Sequence, residues 1–489
     1  LKEISVAETV EKNEEILTKL FVNVDILRKR YIESSQGKTQ KYFIAFFDGV
    51  VNSEIMNDFI IKPLMLSSVV QGSDPVETVI RQIVMINEVG KAYDYEKITE
   101  AITYGDTVLF IDGVDCALIL NTKGFSLRAI GEPEGEKVII GPREGFTESI
   151  LVNLSMIHRK ARTNELKIKF LTLGRRTKTQ ACVCYMEGIA DKRIIKEVFR
   201  RLGEIDMDGV LDSNYITELI KDQPYSPFRS TGYTERPDVV IGKLLEGRVA
   251  IVLDGTPAVL TVPYLFIENF QSNEDYYLNF YYTSFQRILR ILAFFITTLL
   301  PGLYVGMAGY HHEVMPTPFM ISIMGERSSV PFPAYIEAFF MLLLFDILRE
   351  TGIRMPSTIG QALSIVGALV IGQAAVEAKI VASPMIIIVA TTGITSLLIQ
   401  KVNAPMIYGR TLVLFLSATF GYYGTALGIS AVLIHILNLK SFGISQISLD
   451  GKMTFQEGND IVIMAPWWKM VTRPRQIGVN RIRMRERDE

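Results

Sequence analysis

The sequence predicts an α/β soluble N-terminal region of two related subdomains, followed by an α-helical polytopic membrane domain. Three observations lead to that expectation. Residues 351–438 hold only five charged side chains, Arg354, Glu377, Lys379, Lys401 and Arg410. Apolar runs about 20 residues long suit a bilayer and would promote aggregation in water. Upstream of Ile288 the composition is that of a water-soluble protein, and acid-glycine pairs recur there at a fixed spacing. The 489 residues fit two or three domains. The expected division is 1–140 and 141–271 for the two subdomains, 272–438 for the membrane bundle and 439–489 for a basic tail. A net charge of −2 gives no whole-chain field that would point to nucleic acid.

The chain opens on Leu1 rather than Met, so a start further upstream is expected, and residues 1–30 contain no signal-peptide core. The repeat comes next. KYFIAFFDGVV and YGDTVLFIDGVDCALIL in the first half match TQACVCYMEGIA and LEGRVAIVLDGTPAVLTVP in the second. Asp48-Gly49 and Asp112-Gly113 are 64 residues apart; Glu187-Gly188 and Asp254-Gly255 are 67 apart. Gly105 and Gly247 each stand seven residues before the second acid of their pair, as helix C-caps. The pattern implies an internal duplication. Each unit reads as a strand ending at an acid-glycine turn (Tyr42–Phe47; Ala181–Met186), a helix (Ser53–Met65; Lys192–Leu202), a second helix, then a hairpin over Asp-Gly. Turn chemistry accounts for the four acids better than catalysis does, because four separate turns do not make a carboxylate pair.

Cys182 and Cys184 share a strand face, where a disulfide would be distorted, and three cysteines in all fit a reducing compartment. The basic loop Gly174–Lys178 reads as a solvated turn and His158 as a structural residue in a helix. No GxxxxGK[ST], GxSxG or HExxH is present, so no catalytic, metal or cofactor site is predicted.

Residues 272–310 read as one long helix entering the membrane, capped by Ser272, with Tyr276, Tyr277, Phe280, Tyr281, Tyr282, Phe285, Arg287 and Arg290 at headgroup level. Further apolar runs cover 288–308, 334–348, 358–378, 381–400 and 411–437. The second carries Glu337 and Asp346 on opposite helix faces. Acids there require protein or water around them, so the segment is central or re-entrant, or Asp346 lies near the interface beside Arg349. In the third run Gly360, Ser364, Ala368 and Gly372 form a ridge of small residues that permits close helix packing. Gln361, Gln373 and Glu377 add polar groups, so this helix either packs against its neighbours or lines a water path. The last run, with Gly421, Gly424 and Gly428, is one tilted span or a broken one. After residue 438 there are nine Lys/Arg and six Asp/Glu. The positive-inside rule places this tail and the soluble region in the cytoplasm. Two termini inside require an even number of crossings, whereas five runs are counted.

The stretch 337–384, the loop PTPFMISIMGERSSVPFPAYIE (316–337), the FFDGVV and FIDGV strands and APWWKMVTRPR (465–475) resemble the A subunit of GerA-type spore germinant receptors, over nearly the whole chain. The resemblance implies a place in the inner membrane of dormant spores, with the N-terminal region and tail facing the core. It implies a permease-like B subunit and a lipoprotein C subunit as partners. It also implies self-association, with a pentamer as one expectation, around a nutrient-gated cation path. The alternative left open is a non-conducting adaptor that couples the B subunit to germination.

Overall fold

The structure is a computed structural model. It describes residues 4–34, 40–67, 74–124, 132–133, 135–354, 367, 370–447, 460–473, 477–479 and 482, with the backbone alone at 353–354. The chain divides into two compact units. One comprises residues 1–224, 230–264 and 471–489; the other comprises 225–229 and 265–470.

The first unit holds two copies of one motif. In the first copy α1 (Val10–Leu20) precedes β1 (Leu27–Glu33) and β2 (Lys41–Phe47). A helix follows from Ser53 to Leu66 with a π-helical turn at Asn57–Ile61 (α2), then a short helical stretch (Pro75–Thr78 and Val79–Ile83), β3 (Val89–Ala92), α3 (Tyr95–Tyr104), β4 (Thr107–Ile111) and β5 (Ala117–Leu120). In the second copy the order is α4 (Ile150–Lys160), β6 (Leu166–Leu173), β7 (Thr179–Met186), α5 (Lys192–Gly203), α6 (Ser213–Leu219), β8 (Gly232–Thr234), α7 (Pro237–Leu245), β9 (Val249–Leu253) and β10 (Val259–Val262). The two five-stranded sheets have the same strand order, β1-β2-β4-β5-β3 and β6-β7-β9-β10-β8, and every ladder is antiparallel.

The four acid-glycine turns are real turns. Gly49, Gly113, Gly188 and Gly255 all have φ between +78° and +87°, a region open to glycine at little steric cost. Two of the acids do more. Asp112 Oδ1 accepts the Val10 N–H (3.3 Å) at the start of α1, and Asp254 Oδ1 accepts the Ile150 N–H (3.0 Å) at the start of α4. Beside them Asn13 exchanges two hydrogen bonds with the Ala7 backbone, as Asn153 does with Thr147. The duplication therefore extends to the polar groups that dock each 11-residue helix onto its hairpin.

The two copies share a core. Val24 bridges Ile168, with Asp25 N–H donating to the Ile168 carbonyl (2.9 Å) and Ile168 N–H to that of Asn23 (3.1 Å). Phe47, Phe110, Leu154, Ile168 and Val252 belong to one buried cluster. His158 on α4 lies inside it, its ring centroid 4.8 Å from that of Phe47. Cys182 and Cys184 are free and buried side by side, with sulfurs 3.9 Å apart. The basic loop pairs Arg175 with Asp206 and Arg176 with Asp208 in solvent. The end of the chain returns to this unit: Gly478 bridges Ala190, Val479 N–H donates to the Ile189 carbonyl (2.9 Å), and Ile477 is buried.

The second unit is helical. The expected helix over 272–310 is interrupted. A 3-10 turn spans Asn273–Tyr276, and the long helix α8 starts afresh at Phe280 and runs to Gly309, capped by the Asn279 side chain accepting the Tyr281 N–H (3.0 Å). The interruption frees Asp275 to meet two arginines of α8. Then come α9 (Thr317–Arg327), α10 (Ala334–Arg354), α11 (residues 370–377) and α12 (Ser383–Leu397). The last stretch, Asn403–Leu437, is two helices, α13 (403–420) and α14 (422–437). Gly421 has φ +58° and ψ −138°, outside the helical region and accessible to glycine alone. The chain reverses there. Thr425 Oγ1 bonds Ser417 Oγ (3.0 Å), a Cβ on Gly428 would sit 3.0 Å from Val413, and one on Gly424 would strike the Leu416 carbonyl. The question of one tilted span or a broken one is answered as a helical hairpin.

Neighbour contacts give the helix directions. α13 runs parallel to α8, since Gly409, Val413 and Ser417 face Thr298, Gly302 and Gly306. α10 runs antiparallel to α13, pairing Asp346 with Arg410 and Arg349 with Asn403. α12 runs parallel to α10, with Ala382 beside Glu337 and Gly393 beneath Phe345. The α8, α10, α11, α12, α13 and α14 segments therefore alternate in direction. The start of α8 and the end of α14 lie at one end of the bundle, in a cluster containing Phe294, Ile399, Val402 and Ile436.

His158 gives the α/β unit a pH dependence. Burial pushes its pKa down from 6.5 to about 3. The unfolded chain binds the proton first as pH falls. Stability is therefore full above pH 6.5 and declines between there and about 3, by on the order of a few kcal/mol in total. Thermal melts at neutral and mildly acidic pH should show a smaller acid shift in His158→Leu than in the wild type.

Candidate functional site

Inside a bundle that meets lipid, an ionised side chain has to find a counter-charge or water. Among the described residues the helical unit contains three such charged nodes.

The first lies at the start of α8. Asp275 is fully buried and accepts from Arg287 Nε (3.0 Å), Arg290 Nη1 (2.9 Å) and its own turn's Ser272 N–H (3.1 Å). Arg287 Nη1 also reaches Asp460 Oδ1 (2.8 Å), and Asp460 accepts from Tyr276 OH on its other oxygen (2.9 Å). Arg287, expected at headgroup level, is 1% exposed and directs its guanidinium at these carboxylates. Two arginines and two aspartates neutralise one another, and one partner comes from 173 residues downstream.

The second node joins α10 to α13. Arg410 Nη2 meets Asp346 Oδ2 at 2.6 Å, Arg349 Nη2 lies 3.3 Å from the other oxygen, and Arg349 Nη1 donates to Asn403 Oδ1 (2.8 Å). Gly409 faces Thr298, so the Asp346–Arg410 pair lies level with the middle third of α8.

The third node lies at the opposite end of the bundle from the first. Glu337 Oε2 accepts the Ala382 N–H (3.0 Å) between α11 and α12, and Oε1 lies 3.7 Å from Arg327 of α9. Glu326 accepts from Ser383 Oγ (3.1 Å). Glu337 and Asp346 thus have different partners, as their opposite faces require.

On α11 Gly372 is buried against Ile386 of α12, while Gln373 and Glu377, one turn apart, are exposed beside the exposed Val370. Gly360, Gln361, Ser364 and Ala368 lie outside the described residues. The close-packed glycine ridge that is described belongs to α8. Gly302 and Gly306 form a G-x-x-x-G step: a Cβ on Gly302 would fall 2.7 Å from Val413, and one on Gly306 would fall 2.8 Å from Ser417. Ser417 Oγ bonds the Gly302 carbonyl (2.6 Å) at the turn next to Pro301. That spacing was readable in GLYVG at 302–306. Arg410 as the partner of Asp346 was not, because 64 residues separate them.

In the α/β unit a cleft of about 400 Å³ opens between the two copies, lined by Asp25, Arg28, Asp48, Leu151, Phe170 and Gln180. Its charges are engaged: Arg28 pairs with Asp48, and Asp25 with Lys169 and the Phe170 N–H.

The sequence profile of the Bacillus/Clostridium GerA spore germination protein family matches residues 13–476. Among curated proteins, an uncharacterized membrane protein of Bacillus subtilis, YfkQ, is 42% identical over 434 residues, 88% of this chain and 84% of that protein. Spore germination protein KA of the same organism is 40% identical, over 89% of this chain and 80% of its own length. Among solved structures, the N-terminal domain of the A subunit of the Bacillus megaterium spore germinant receptor GerK3 has 30% sequence identity and a TM-score of 0.44. The match covers 54% of this chain and 98% of that one.

The Asp346–Arg410 pair is open to a direct test. Asp346→Ala leaves the Arg410 guanidinium buried without its nearest counter-charge and should lower the stability of the purified protein by about 3–5 kcal/mol. Adding Arg410→Met should restore most of the loss, measured by denaturation in detergent.

Proposed function

Because the chain belongs to the GerA spore germination protein family, we propose that it is a membrane subunit of a nutrient receptor that triggers spore germination. Copies of its helical unit assemble around an axis as a nutrient-gated cation path. A permease-like B subunit and a lipoprotein C subunit act with it. The observation that supports this reading is the exposure of Gln373 and Glu377, one turn apart on α11 beside the exposed Val370. Glu377 ends α11 close to the Glu337–Ala382 node at that end of the bundle, with Gln373 one turn further in, so this polar face is placed to meet another chain or water rather than lipid. A ring of these side chains around a symmetry axis would favour cations. Gly372, buried on the same helix, sets how closely α11 approaches α12.

Six alternating segments return the chain to the end where it entered. With nine Lys/Arg after residue 438, the positive-inside rule puts that end, with the α/β unit and the tail, on the cytoplasmic face of the spore inner membrane. α8 is 30 residues, about 45 Å, enough to cross a bilayer with its headgroups.

One observation favours the adaptor reading. Among the described residues α8, α13 and α14 meet closely at Gly302, Gly306, Gly424 and Gly428, a packing that an adaptor accounts for without a conducting path. Potassium efflux from non-sporulating cells expressing the chain with its partners separates the two. If this subunit conducts, nutrient-dependent efflux falls in Gly372→Trp and changes in Glu377→Ala. If it is an adaptor, complexes assemble and efflux ignores both substitutions.

A further inference from the structure

The two tryptophans of the chain are adjacent, Trp467 and Trp468, in a short segment far in sequence from any spanning helix. The structure brings this segment to the start of α8. Met464, Ala465 and Met470 are buried against Tyr276 and Phe280. The Trp467 ring centroid lies 6.0 Å from that of Tyr276, and Trp468 is 6.2 Å from Phe280. Ser284 Oγ accepts the Met464 N–H (3.0 Å), and Asp460 ties the segment to Arg287. The anchored side is therefore apolar and hydrogen-bonded.

The outward side carries Ile463, Trp467, Trp468 and Lys469, all exposed, Trp468 to 70%. It is continuous with Tyr281 and Phe285, which are exposed on the first turns of α8. Indole and phenol rings with one apolar face and one polar tip, next to a lysine, match the boundary between acyl chains and headgroups. The patch is also at the right level. From Phe285 the exposed apolar face of α8 continues through Leu289, Leu292 and Phe295. Arg287 and Arg290, up to about 8 Å deeper than Phe285 along the helix, are the residues that need neutralising there.

We propose that residues 463–469 form an interfacial anchor, with Trp467 and Trp468 seated in the lipid headgroup layer beside the aromatic start of α8. The anchor fixes the depth of α8 and places the Arg287–Asp275–Asp460 cluster just inside the hydrocarbon boundary. This rests on the helical unit spanning a bilayer. The lipid surface is the occupant because the patch continues the lipid-facing side of α8 without a step.

The tryptophans are their own probe. The full chain is reconstituted in phosphatidylcholine vesicles whose lipids carry bromine either near the headgroup end of the acyl chain or near the bilayer centre, and vesicles are floated first. Failure to float with lipid would overturn the membrane reading itself. In floated protein, emission should fall with brominated lipid, more for the shallow position than the deep one, and the loss should diminish in Trp468→Phe. Emission that ignores both lipids would overturn the anchor. Quenching by aqueous iodide would then place the patch in water, and no quenching by either would place it beneath another protein chain.

Discussion

The reversal at Gly421 is the constraint on which the helical unit depends. A non-glycine residue there would have to hold φ +58° with ψ −138°, and its Cβ would lie 2.8 Å from His311 and 2.9 Å from Tyr310. Those two residues end α8. His311 stacks on Tyr422 with centroids 4.7 Å apart, and Tyr310 OH donates to the Ala418 carbonyl (2.7 Å). The hairpin tip and the end of α8 are thus fitted to one another. As a single 35-residue helix, Asn403–Leu437 would leave the bundle with an odd number of segments. Reversed, it gives six among the described residues and sends the chain back to its entry.

The charged groups follow from that arrangement. In water a surface ion pair contributes little, whereas inside a bundle a charge left unmatched costs several kcal/mol. Each node joins segments that are distant in sequence: Asp460 to α8, Arg410 to α10, Ala382 to Glu337. A structure held this way has few arrangements with all charges matched, which suits a two-state element. A ligand can bias such an element only by its differential affinity for the two states. A shift from 1:99 to 99:1 requires about 5.5 kcal/mol, and coupled copies of the chain would divide that requirement.

The α/β half was legible where local chemistry determines structure. Asp-Gly between two apolar strands favours a hairpin, as at Asp112 and Asp254, and the recurrence there revealed the duplication. That the same aspartates hold the starts of α1 and α4 was hidden, because the bond runs across 102 and 104 residues. In the helical half composition identified the apolar runs but not their ends. The break before Asn279 arises from Asp275 turning toward Arg287 and Arg290, and charge patterning alone suggested headgroups for the arginines. Gly421 stood among three glycines in GYYGTALG, and which one reverses the chain depends on Tyr310 and His311. The glycine ridge of the apolar run 358–378 falls mostly outside the described residues, while a closely packed ridge among the described residues lies at Gly302 and Gly306.

The topology proposed above has the chain crossing the membrane six times, with the tip at Gly421 on the opposite face from Asn438. Cys116, Cys182 and Cys184 are buried, so single cysteines can be added at Tyr423 and at Asn438 and labelled with a membrane-impermeant maleimide in sealed vesicles of known orientation. The account predicts labelling from opposite sides. Labelling of both from one side would contradict the hairpin and the alternation built on it.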